Sequence, residues 1–188
     1  MSESILEIFE RTGALLTGHF VLSSGLHSRK FFQCALVLQN APLAAQICQQ
    51  LAGKLTDVDC ESVISPALGG IIVGQEVARV LGKRHIFAEK VDGKLELRRG
   101  FQINGGERFI VAEDVVTKGG KVRETIDIVR AHGGIVVAVG AIVDRSGPEK
   151  PDFGCRFESL IQLEVETFPP DQLPADLAGT PAVKPGSR

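Results

Sequence analysis

The chain has 188 residues, 44% of them hydrophobic and 23% charged, with Lys+Arg 21 against Asp+Glu 23 for a formal net charge of −2. That length fits one domain and that apolar share can bury a real core. The charge balance excludes a broad electrostatic footprint for nucleic acid, so any anion must be met by a local cluster of cations.

The start, Met1-Ser-Glu-Ser-Ile, is acidic rather than basic. No apolar run approaches the roughly 20 residues that a membrane span needs. No signal peptide, membrane segment or nucleic-acid partner is therefore expected, and the location expected is cytoplasmic. Cys34, Cys48, Cys60 and Cys155 are scattered without a CxxC pair, which fits reduced thiols in a reducing compartment.

Residues 3–13 place Ile5, Leu6, Ile8 and Phe9 at helical spacing and stop at Gly13. Two β-like runs, 18–22 and 30–33, flank a Ser/Gly turn and predict a hairpin arm. Residues 42–55 open with Pro42 in a first turn and repeat Leu43, Ile47 and Leu51, an amphipathic helix. A short strand over 62–65, a loop over 66–70, a helix over 71–81 and a strand over 84–88 follow. Between 89 and 107, Asp92-Gly93 and Asn104-Gly105-Gly106 bracket an exposed hairpin or mobile flap.

The spacing then predicts a strand over 108–112, a turn over 113–120 and a helix over 121–132, with Val122, Ile126 and Val129 on its inner face. The apolar run 135–143 reads as a central strand delivering Asp144-Arg145, and 157–165 as a last strand. From Pro169 the chain is proline-rich and polar, closer to a docked tail or linker than to a core element. Strand–helix alternation of this kind predicts an α/β class with a mainly parallel central sheet flanked by helices. The organisation expected is one domain over 1–188: helix and arm over 1–40, core over 41–168, tail over 169–188.

Three strand ends converge on one sheet edge, carrying Pro66-Ala-Leu-Gly-Gly70, Glu113-Asp114 and Asp144-Arg145. Paired acids at a strand end can bind a divalent metal, hold sugar hydroxyls, or cap the next helix. Capping does not need Gly119-Gly120, whereas a backbone brought against a ligand does. A Thr/Gly turn opening a helix aims N–H groups at an anion. Neither GxxxxGK[ST] nor GxGxxG is present, which speaks against nucleotide hydrolysis and dinucleotide binding.

Ile110-Val-Ala-Glu-Asp-Val-Val-Thr-Lys-Gly-Gly-Lys121 resembles the phosphoribosyl diphosphate (PRPP) signature of type I phosphoribosyltransferases. Gly18-His-Phe-Val-Leu-Ser-Ser-Gly-Leu-His-Ser-Arg-Lys-Phe-Phe32 is similar to the N-terminal arm of the orotate branch of that family. Ser65–Gly70 resembles its diphosphate loop, Val143-Asp-Arg145 its orotate-contacting arginine, and Pro181–Arg188 the tail of one bacterial subgroup. The resemblance spans most of the chain, with the motifs in the same order.

It implies the type I phosphoribosyltransferase fold with a hood arm and a flexible catalytic flap. The reaction implied joins orotate and PRPP to give orotidine 5′-phosphate and diphosphate, with Mg²⁺, in pyrimidine biosynthesis. A homodimer is implied, the flap of one subunit covering the site of the other. Residues Glu113, Asp114, Val115, Val116, Thr117, Lys118, Gly119, Gly120 and Lys121 would bind PRPP, with Leu68, Gly69 and Lys90 on the diphosphate. Thr117, Arg145, Phe31, Phe32 and Ser23 would hold orotate, and Asp114, Glu113 and Lys90 are the catalytic candidates. Mg²⁺ would be held mainly by PRPP and water rather than by direct protein ligands.

The chain departs from the family pattern at four places: Leu68-Gly69 replaces a common Tyr-Lys pair, Ser23 an arm lysine, Lys118 a Thr or Ala, and the flap cations are re-spaced to Lys90, Lys94, Arg98 and Arg99. Two alternatives stay open. A purine phosphoribosyltransferase would have no carboxylate for Arg145 to bind. A PRPP-sensing regulator would need a nucleic-acid-binding segment, which the charge does not supply.

Overall fold

The structure is a computed structural model and describes residues 4–22, 24–148 and 150–185. They divide into two compact units: residues up to Gln39 with those from Glu164 onward, and Asn40–Leu163.

In the first unit, helix α1 (Ile5–Arg11) starts at a capping box, the Glu7 amide donating to Ser4 Oγ at 3.3 Å and the Ser4 amide to Glu7 Oε2 at 2.7 Å. It buries Ile5, Ile8 and Phe9. The expected arm is an antiparallel pair, β1 (Leu15–Val21) and β2 (His27–Phe32), with a register shift between Thr17 and Phe20. A short helix α2 (Ala35–Leu38) follows that the sequence did not reveal, four residues being too few for a periodicity to register.

In the second unit, helix α3 (Ala41–Gly53) takes its cap from Asn40, with Pro42 in the first turn as expected. Then come β3 (Ser62–Pro66), α4 (Gly69–Leu81), β4 (Arg84–Val91), β5 (Lys94–Leu97), β6 (Arg108–Val116), α5 (Gly120–Ala131), β7 (Ile135–Asp144) and β8 (Arg156–Gln162). The six strands run in the order β5-β4-β3-β6-β7-β8, every neighbouring pair parallel except β4–β5. The mainly parallel sheet is thus present. The β4–β5 hairpin turns through Asp92 (φ 47°) and Gly93 (φ 88°), the primed-turn chemistry expected of Asp-Gly.

Side-chain alternation divides the apolar layers. Ile64, Val111 and Val139 join Val122, Ile126 and Val129 of α5 in one buried cluster. Gly140 lies on the other side, where Leu55 Cδ1 would stand 2.9 Å from an added Cβ. Of the boundaries that differ from the expectation, two bear on the site. Strand β6 runs on through the acids to Val116, because Glu113 pairs with Ala141, Val115 with Val143 and Val116 with Asp144. A continuous ladder to β7 outweighs the weak strand preference of two acids. Helix α4 begins at Gly69 rather than residue 71, so the loop shrinks to Ala67-Leu68.

The tail belongs to the first unit and is docked there. β9 (Thr167–Phe168) pairs with β2, and α6 (Ala175–Ala178) carries Asp176, which accepts from Arg29 Nε and Nη2 at 2.8 Å each. Val183 bridges to the arm through Val21 N–H···O at 2.9 Å.

The winding places the ligand edge. The β3–α4–β4 crossover leads to one side of the sheet and β6–α5–β7 to the other, so strand order reverses between β3 and β6. In open α/β sheets that switch point leaves a crevice beyond the carboxyl ends of the strands.

Candidate active site

Register sets the strand ends level. Pro66 pairs with Ala88, which puts Lys90 one pleat beyond the end of β3 on the same edge. Val116 pairs with Asp144, so Arg145 is the first residue past that level, its amide donating to Val116 O at 2.7 Å. The second unit therefore brings together five elements of the expected constellation: Leu68-Gly69, Lys90, Glu113-Asp114, the 117–121 turn and Arg145.

The acids lie against the start of α4. A Cβ on Gly69 would collide with Asp114 Oδ2, and one on Gly70 would stand 3.1 Å from Glu113 Oε1. The two glycines are thus a requirement of close approach. Asp114 donates its amide to Glu113 Oε1 at 3.0 Å, and Val115 donates its amide to Asp114 Oδ1 at 2.8 Å. The Ala67–Leu68 peptide just ahead of α4 is cis, and Leu68 is 81% exposed, presenting backbone and side chain at the edge rather than to the core.

The two acids differ in burial. Glu113 is 2% exposed, and its Oε2 is buried with no hydrogen-bond partner among the described residues. Burial, and after it the neighbouring Asp114 charge, hold the Glu113 carboxyl well above the usual carboxylate range, with Lys121 pulling weakly the other way. Asp114 is half-buried and sits at the opening.

A raised folded pKa contributes stability that is fully present below the unfolded value and lost as pH climbs toward the folded one. Glu113→Gln removes that titration. Its unfolding free energy relative to the parent should therefore rise from about pH 4.5 upward, by at most about 1.4 kcal/mol per pH unit. Thermal unfolding at pH 5 and pH 8 checks this, and a difference independent of pH would contradict a raised pKa at Glu113.

Helix α5 is capped by Gly119 in the left-handed region (φ 75°, ψ 14°) and has no acid in its first turn. Lys121 and Arg123 stand there instead, with exposed Thr117 and Lys118 just ahead. Cations at a helix N-terminus oppose the macrodipole, and an anion at that end reverses the sign. The turn that was expected over 113–120 contracts to 117–119.

Asp144 is fully buried, and its Oδ1 accepts from Ser146 N at 2.9 Å and Ser146 Oγ at 2.5 Å, fixing the turn that presents half-buried Arg145. Among the flap cations, Glu89 Oε2 accepts from Arg99 at 2.8 Å and Glu89 Oε1 lies 4.0 Å from Arg98. Lys90 is exposed and makes no ion pair among the described residues.

The expected orotate residues of the arm lie in the first unit. Phe32 is buried edge-on to Phe9 at 4.7 Å, while Phe31 is half-buried beside Phe20 at 5.8 Å. Ser23 lies outside the described residues. His85, neutral by burial with a pKa near 4, takes part in a contact with Ser65 Oγ at 2.8 Å under α4 rather than in the edge. Arg123, which the sequence reading passed over, donates from Nη1 to Lys118 O at 2.6 Å. Its position in the first turn of a helix that opens on a phosphate-like loop was the available signal.

No group of three or more His, Cys, Asp or Glu able to hold a metal occurs among the described residues, and no helix among them is long and apolar enough to cross a membrane.

No protein-family model matches the chain. Two curated relatives, both named orotate phosphoribosyltransferase, align over 186 residues, 99% of this chain and 97% of theirs. The one from Caldicellulosiruptor bescii is 52% identical and the one from Desulforamulus reducens 50%. Among solved structures, the crystal structure of orotate phosphoribosyltransferase from Aeropyrum pernix superposes with a TM-score of 0.69 at 26% identity, over 84% of this chain and 92% of that one.

Proposed function

Since the chain belongs to the orotate phosphoribosyltransferase family, we propose that the carboxyl edge of its sheet transfers ribose 5-phosphate from PRPP to orotate, giving orotidine 5′-phosphate and diphosphate. The observation that carries the reading is the single edge on which an acid pair, two closely packed glycines, a cationic helix start and an arginine meet. Each part matches one portion of the two substrates.

The 5′-phosphate is received by the amides of Thr117 to Gly120 with Lys121, at the positive end of α5. Asp114 accepts from the ribose hydroxyls and stabilises positive charge as it builds at C1′. Glu113, buried and with its pKa raised, accepts from the Asp114 amide and orients that acid. The Leu68-Gly69 backbone meets the diphosphate, and Lys90 offsets its charge as it leaves. Arg145 pairs with the orotate carboxylate as a fork, which a purine could not use.

The residues fit a Mg²⁺ that would be held mainly by PRPP and water, with Asp114 a nearby carboxylate. The ion supplies neutralisation of the diphosphate. The same reading includes a homodimer sharing the β4–β5 hairpin and a cytoplasmic location. Sedimentation showing only a 20.1 kDa species at working concentration would remove the dimer.

The test is loss of orotate absorbance with PRPP and Mg²⁺, run beside adenine and hypoxanthine. Orotate turnover is expected, and purine turnover without it would overturn the assignment. Arg145→Ala should raise the KM for orotate roughly 10- to 100-fold, the loss of a hydrogen bond to a charged group, with a much smaller change in the KM for PRPP. An unchanged orotate KM would strip Arg145 of its role.

A further inference from the structure

We infer that Arg123 and Phe153 are positioning residues that set the phosphate loop, an assignment that rests on reading Thr117–Lys121 as the 5′-phosphate site. Four observations meet at Lys118-Gly119. Arg123 Nη1 donates to Lys118 O at 2.6 Å, and the Arg123 amide donates to Gly119 O at 2.9 Å. The Arg123 guanidinium carbon stands 5.5 Å from the centre of the Phe153 ring. That ring lies directly beneath the loop, since a Cβ on Gly119 would be 2.8 Å from Phe153 Cε1 and 2.9 Å from Cζ.

The consequence follows from peptide geometry. Carbonyl and N–H of a trans peptide point in opposite directions. By drawing the Lys118 carbonyl to itself, Arg123 turns the Gly119 N–H the other way, toward the anion side of the loop. Without that hold the Lys118–Gly119 peptide is free to flip, and a carbonyl oxygen would then face the phosphate. The left-handed φ of 75° at Gly119 is the conformation that the hold selects.

Phe153 gives the loop a rigid seat. It is 5% exposed and packs edge-on to Phe157 of β8 at 5.3 Å. Its own turn is closed by Gly154 N–H donating to Asp152 Oδ1 at 2.8 Å, with Gly154 at φ 68°. A cleft of about 280 Å³ runs behind the loop, lined by Arg123, Arg130 and Phe153 among others. Arg123 lines it beside Phe153 and bonds the Lys118 carbonyl, so the guanidinium acts on the carbonyl side of that peptide, opposite the Gly119 N–H. It shapes the phosphate site without touching the phosphate.

The experiment compares the full-length parent with Arg123→Ala, Arg123→Lys and Phe153→Leu, measuring KM for PRPP, KM for orotate, kcat, and direct calorimetric binding of ribose 5-phosphate. Arg123→Ala should weaken ribose 5-phosphate and raise the KM for PRPP about tenfold, leaving the KM for orotate and kcat within about threefold. Arg123→Lys should recover part of the loss by restoring one donor. Phe153→Leu should reproduce the PRPP defect, and decides the matter if Arg123→Ala does not fold. Unchanged ribose 5-phosphate affinity in folded variants, or an equal loss toward orotate and PRPP, would overturn the inference. A parent that binds ribose 5-phosphate in an Arg123-dependent way yet fails to consume orotate would uphold it while removing the proposed acceptor.

Discussion

Asp114→Asn is expected to lower kcat by roughly two to three orders of magnitude, the usual cost of deleting one preorganised electrostatic group, with a much smaller change in PRPP affinity. Asp114 is the half-buried member of the acid pair, whereas Glu113 is 2% exposed and burial raises its pKa. In the proposed mechanism Asp114 supplies the negative charge that meets the developing cation at C1′. The amide replacement still accepts from a ribose hydroxyl, so binding survives. The charge that strengthens only as the glycosidic bond stretches is removed, so kcat falls. Steady-state kinetics with both substrates varied separates the two. Parent values for both parameters would leave Asp114 with no more than a structural role.

Gly69→Ala should have an effect on activity of similar size, roughly 100-fold, for a different reason. The new Cβ would occupy the space of Asp114 Oδ2 and lie 2.7 Å from Asp114 Cγ. A short side chain yields more readily than the start of a helix, so Asp114 should rotate away. Stability should change little. Overpacking costs about 1–3 kcal/mol, offset by about 1 kcal/mol from replacing glycine in a helix. The melting temperature should stay within about 8 °C of the parent while kcat/KM for PRPP collapses. Full activity in Gly69→Ala would show that the observed Asp114 orientation is not the working one.

Both substitutions depend on features of different legibility. The acid pair was visible as Glu113-Asp114 at the end of an apolar run, and so was the turn that follows it. What the acids do was not visible, because the two differ only in burial. Glu113 lies between the start of α4 and Lys121, neighbours roughly 40 residues before it and 8 after, and its high proton affinity is a property of that enclosure. The purpose of Gly69 was equally hidden. A loop glycine and a helix-start glycine held against a carboxylate look alike in one dimension, which is why α4 was expected to begin two residues later than it does.

The flap shows the same limit. Of four cations between 90 and 99 the sequence singled out Lys90 without a physical reason against the others; Glu89 takes Arg99 at 2.8 Å and approaches Arg98 at 4.0 Å, which leaves Lys90 and Lys94 unpaired among the described residues. Which cations an acid neutralises is decided by the hairpin register and the backbone at Arg99, with φ 59°. Likewise the arm aromatics read as a pair, and strand alternation split them, sending Phe32 to Phe9 and leaving Phe31 half-buried.

By itself the sequence determined the class of the fold, the order of its elements and the chemistry available at the strand ends. Those depend on local periodicity, turn residues and short motifs, all of which act within a dozen positions. Only the tertiary structure decided which strand ends lie side by side, which acid is buried, why Gly69 is glycine, and that Arg123 and Phe153 lie against the loop. Those depend on the reversal of winding between β3 and β6 and on the burial it creates. Proton affinity and steric clearance are properties of an enclosure, and an enclosure is built from residues distant in sequence.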